Sequence, residues 1–97
     1  MNILKFAKYS MNNPEKYQLR TASGRIVKVT NIINSAEHPI RGVIKDSVPG
    51  LDIICEWTEK GYPHNLPFNH GLNLIPYLAK TVYERIPADQ FESFDLR

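Results

Sequence analysis

The chain has little of what small folds use as staples. It carries one cysteine in 97 residues, so no internal disulfide forms, which fits a reducing, cytoplasmic compartment. It lacks a long apolar run: Lys5 and Lys8 interrupt the opening "MNILKFAKYSMNNPEKY", which reads neither as a secretory signal nor as a membrane span. Its five glycines are scattered singly, so no Gly-rich phosphate loop is present and no nucleotide cofactor is expected. There is no Cys-x-x-Cys pair, no internal repeat and no low-complexity tract. What remains is a chain that is 42% hydrophobic, globular rather than disordered, and long enough for one modest core. A single domain over residues 1–97 is expected.

Net charge is +2, and its distribution says more than its size. Residues 1–30 hold six Lys and Arg against one acid, whereas residues 31–60 hold three against five. A basic first third suits either an ordinary solvated surface or contact with phosphates or an acidic protein.

"YQLRTASGRIVKV" contains a built-in register test. With Ala22, Ser23 and Gly24 as a three-residue loop, Gly24 takes the left-handed position. Leu19 then faces Val27 and Tyr17 faces Val29, apolar against apolar. Gln18 meets Lys28 and Lys16 meets Thr30 on the other face. A slip of one residue would scramble both faces.

Upstream, Ile3, Leu4, Phe6, Ala7 and Met11 recur at helical spacing, which predicts a helix over residues 3–10 that Asn12, Asn13 and Pro14 end. Downstream, residues 40–46 read as a strand, and Pro49 and Gly50 as a type II turn. In "LDIICEWTE" Leu51, Ile53, Cys55 and Trp57 share the expected core face, with Asp52, Ile54, Glu56 and Thr58 opposite. Pro63 and Pro67 make "YPHNLPFNHG" an irregular connection, after which "LNLI" returns as a brief strand. The tail, residues 76–97, is mixed. Tyr77, Leu78, Val82 and Tyr83 fit a helix or a strand, and "PADQFESF" fits one helical turn. The fold class is therefore α+β, with a short N-terminal helix packed on a small twisted antiparallel sheet centred on residues 16–60. A small open β-barrel is the alternative.

Three constellations resemble chemistry without completing it. Cys55 with His64 or His70 has the elements of a thiol nucleophile and base, but Cys55 is in phase with Leu51, Ile53 and Trp57 and reads as a small core hydrophobe. Zinc held by Cys55, His64 and His70 would lack the tight paired spacing of structural sites. Asp46, Asp52, Glu56 and Glu59 near Lys60 suggest a metal-dependent nuclease, yet read as solvated acids. No catalytic residue and no metal site is assigned.

Binding residues are better motivated. Lys16, Arg20, Arg25 and Lys28 gather on the hairpin within about 15 Å by strand rise, a spacing suited to phosphates. Tyr17 points away from them, so the hairpin itself brings no stacking aromatic to that face. Tyr62, His64 and Phe68 form an aromatic patch in the proline-rich connection, a composition suited to protein contacts.

"KYQLRTASGRIVKV", "HPIRGVI", "EWTEKGYPHN" and "NHGLNLI", spread over residues 3–75, resemble a group of small uncharacterised proteins of bacteriophages, prophages and gut bacteria. Its members open with a short helix. They continue with a Thr-Arg-x-Gly-Arg-like hairpin turn, a Tyr-Pro-Ile-like strand start, an aromatic strand closed by a glycine turn and an Asp-Leu motif. Here "TASGR", "HPI", "WTEKG" and "GLNL" stand at those places, with Ala22 replacing the usual Arg and Asn73 the usual Asp. The resemblance implies origin and fold, and it carries no activity. The expected function is a noncatalytic protein-binding module of a bacterial or mobile-element protein. Nucleic-acid binding through the basic hairpin face is the alternative, and an unrecognised small hydrolase a further one.

Overall fold

Asn2 sets the first element. Its side-chain oxygen accepts from the Lys5 backbone N–H at 2.7 Å, capping a helix, α1, over Ile3–Asn12. The structure, a computed structural model of the protein, describes residues 1–45, 50–63, 70–80 and 82–94. Helix α1 ends at Asn13, before Pro14, and buries Phe6, Ala7 and Ser10. Met11, expected on the inner face, lies outward at 37% exposure, and Ser10 takes its place inside.

Strands β1 (Tyr17–Thr21) and β2 (Ile26–Ile32) form the expected hairpin. Leu19 faces Val27 in register. Gly24 adopts φ +94°, and its N–H donates to the Thr21 carbonyl at 2.8 Å. Four further strands follow: β3 (Ile40–Ile44), β4 (Ile53–Trp57), β5 (Leu74–Ala79) and β6 (Tyr83–Arg85). They complete one antiparallel sheet of order β4-β3-β2-β1-β5-β6. Its outer strands β4 and β6 do not pair with each other, so the sheet is open and the barrel alternative falls away. A short helix α2 (Ala88–Phe91) follows Pro87, as the tail's last segment suggested.

One face of the sheet carries the core. Helix α1 lies across β1, β2 and β5. Phe6 meets Tyr17 and Phe91 edge-on, each with ring centroids 6.0 Å apart. Leu19, Ile40, Ile44 and Trp57 are fully buried in the same core. The Trp57 indole N–H donates to the Leu72 carbonyl at 2.8 Å, so its one polar atom is satisfied. Gly42 permits the close approach of β3 to β2, because a Cβ there would stand 2.6 Å from the Lys28 carbonyl oxygen.

Several sequence expectations are corrected. Strand β4 has the expected alternation, but only Trp57 at its C-terminal end is fully covered, and Cys55 is half-buried. Leu51 and Ile53 stand 58% and 45% exposed, because β4 is an outer strand and α1 packs over β1, β2 and β5. Strand β5 runs farther than "LNLI" suggested and includes Pro76. The Pro76 carbonyl accepts from the Ile86 N–H at 3.0 Å, so its donorless nitrogen faces the β6 side rather than β1. Tyr77, Leu78 and Tyr83, which also fit a helix, lie in the β5–β6 pair. Asp46 and Pro49 of the expected strand end and turn lie outside the described residues.

Candidate functional site

The second face of the sheet carries no described helix. Pairing assigns its side chains. Lys28 lies opposite Val43 of β3, and Val43 opposite Ile54 of β4. Gln18 lies opposite Tyr77 of β5, and Tyr77 opposite Arg85 of β6. Arg20 sits between Ile26 and Ile75 on its two neighbouring strands. Leu19 and Val27 point to the buried face, so period two places Gln18, Arg20, Ile26 and Lys28 on this open one.

This face is partly apolar. Ile54 is 83% exposed and Ile26 45% exposed. They share the face with half-buried Val43, giving an aliphatic strip across β4, β3 and β2. A protein that folds alone gains little from such residues in water, and an apolar strip rimmed by charge marks a contact surface.

The other half is organised around Arg20. Its guanidinium carbon lies 4.7 Å from the Tyr77 ring centroid and 5.7 Å from that of Tyr83. Its Nε–H donates to Gln18 Oε1 at 2.5 Å. Gln18 is itself buried at 8% exposure. Tyr83 is anchored in turn, its hydroxyl donating to the Glu15 carbonyl. The guanidinium is thus held by two rings and one side-chain acceptor, while its two terminal nitrogens have no partner among the described residues.

Cations and acids divide across this face. Lys45 pairs with Asp52 at 3.1 Å, and Arg41 lies 3.5 Å from Glu56. The acids on and just before β4 are therefore engaged by cations on and just after β3. Lys28 and Arg85 have no ion-pair partner among the described residues.

The predicted site residues do not form one group. Arg20 and Lys28 share the open face. Arg25 stands exposed at the hairpin turn. The Lys16 ammonium lies 5.4 Å from the ring of Tyr17, a side chain of the helix-covered face. Lys5 and Lys8, which add to the basic first third, belong to α1 on the opposite side of the sheet. Tyr62 is 48% exposed, while His64 and Phe68 lie outside the described residues. Sequence reasoning missed Gln18, two residues from Arg20 on β1, and Tyr77, Tyr83 and Arg85, which the β1–β5 and β5–β6 pairings bring to the same face. Tyr17 does point away from the cationic face, as expected, and the aromatics on that face come from β5 and β6 instead.

Among the described residues no three His, Cys, Asp or Glu side chains are grouped to hold a metal ion, and no helix is long and apolar enough to cross a membrane. Comparison with known proteins finds no matching family model, no matching curated protein and no matching solved structure.

Proposed function

We propose that the chain is a noncatalytic binding module that holds another protein against the open face of its sheet. The carrying observation is Ile54, 83% exposed beside Val43, with Ile26 two strands away on the same face, which no described helix covers. Tyr and Arg on the same face complete a composition enriched at the energetic centres of protein interfaces. The resemblance of residues 3–75 to small phage and gut-bacterial proteins supports a cytoplasmic partner of bacterial or phage origin.

The test is site-specific photo-crosslinking in a bacterial host. A photoreactive residue at position 54 or 28 is expected to yield the same protein adduct, while one at Lys5, on the exposed side of α1, yields none. Equal labelling from both sides of the sheet, or none from position 54, sinks the proposal.

A second reading, single-stranded nucleic acid on the same face, is favoured by one observation: Tyr77 and Tyr83 stand beside Arg20, near Lys28. It requires retardation of a single-stranded oligonucleotide at about 50 mM salt, lost when Lys16, Arg20, Arg25 and Lys28 become Glu.

A further inference from the structure

We propose that Arg20 is an anion hook, and that the partner segment it receives is acidic, with a Glu or Asp carboxylate seated on the free edge of the guanidinium. The inference rests on the protein-binding reading above and adds the chemistry of the partner.

The geometry carries it. An exposed arginine normally loses side-chain freedom when it binds, and that loss opposes affinity. Here that freedom is reduced before binding. The guanidinium carbon lies 4.7 Å and 5.7 Å from two tyrosine ring centroids, and Nε–H is bonded to Gln18 Oε1. The Nε–H is taken up by Gln18, and the two terminal nitrogens, for which no partner is found among the described residues, form the fork that matches a carboxylate in two parallel hydrogen bonds.

Charge complementarity selects the partner. The open-face side chains without an ion-pair partner among the described residues are cationic: Lys28 and Arg85 flank Arg20 across three strand spacings, about 14 Å. The acids of this face, Asp52 and Glu56, are engaged by Lys45 and Arg41. An acidic segment therefore meets cations at the β1–β5 half and an aliphatic strip at the β2–β4 half. A polyanionic strand fits less well. Crossing toward β4 it would meet Asp52 and Glu56, and Arg20 already occupies one face of each tyrosine ring. A segment with one or two carboxylates followed by apolar residues satisfies both halves.

The side-chain Nε–Hε signal of Arg20 in the ¹⁵N-labelled protein reads the site directly. Three probes are added separately: a blocked synthetic peptide alternating Glu and Leu, inorganic phosphate, and a ten-residue oligo-dT. The peptide is expected to move the Arg20 signal saturably. Arg20→Lys keeps the charge but removes the fork, and is expected to weaken peptide binding at least tenfold. Tyr83→Leu leaves Arg20 in place but unpinned, and is expected to weaken it by a smaller factor while broadening the Arg20 signal. Both variants are first shown to keep the wild-type backbone spectrum.

Saturation by oligo-dT or phosphate with no response to the peptide overturns the acidic-protein assignment. Shifts confined to Lys28 and Arg85, or peptide binding unchanged in Arg20→Lys, overturn the hook. Either failure leaves the position-54 crosslinks standing, whereas failure of the docking reading removes those crosslinks.

Discussion

Leu19 and Ile54 are aliphatic side chains of similar volume on one sheet, and they face opposite environments. Leu19 is fully buried beneath α1, while Ile54 is 83% exposed. Truncating Leu19 removes apolar contacts and leaves a cavity that its neighbours fill only in part. Leu19→Ala is therefore expected to lower stability by about 2–5 kcal/mol in denaturant unfolding. Ile54→Ala is expected to stay within about 0.5 kcal/mol of the parent, because it removes surface that water already touches. Equal losses would mean that Ile54 belongs to the core and is not held out for a partner. The inward direction of Leu19 was legible from the hairpin alone, since a turn at Gly24 admits one register that separates apolar from polar. The exposure of Ile53 and Leu51 was not. Alternation tells which residues share a face of a strand, not how far a ten-residue helix reaches across the sheet.

At the scale of elements, the sheet is built outward from β1. Strand β1 pairs on both sides, with β2 and with β5, and lies under α1. Strand β6 is three residues long and, among the described residues, pairs only with β5. Amide exchange requires local opening, whose cost rises with the number of contacts broken. The amides of Leu19 and Thr21 are expected to be among the slowest to exchange, and those of β6 to exchange well before them. Comparable rates would show that β6 is fixed by more than its pairing with β5. The first four strands were readable because each has its own alternation and its own turn signals. Strand β5 was hidden by Pro76, a residue that argues against a central strand unless its nitrogen points away from the neighbour, as it does here. The β5–β6 pair was ambiguous because Tyr77, Leu78, Val82 and Tyr83 satisfy two periods at once. Tertiary pairing with β1 decides between them.

For the molecule as a whole, the open face is a product of topology. Arg20 was visible as a hairpin cation, but its setting depends on β5 returning beside β1, which no local pattern encodes. The same topology bears on self-association. A face with Ile54 and Ile26 that no described helix covers could be satisfied by a second copy, and the aliphatic strip favours that arrangement. The cations oppose it. Stacking two open faces would bring Arg20, Lys28 and Arg85 of one copy toward those of the other, and the described acids of this face, Asp52 and Glu56, are already engaged by Lys45 and Arg41. That repulsion acts through solvent and weakens as salt shortens the screening length from about 10 Å at 0.1 M toward about 3 Å at 1 M. Sedimentation equilibrium is therefore expected to show a monomer at about 0.1 M salt, with association through this face growing as salt rises. Ile54→Lys should suppress that association at every salt concentration. A dimer that is tightest at low salt would require opposite charges across its interface. It would move the contact away from this cationic face, and with it the case for an acidic partner.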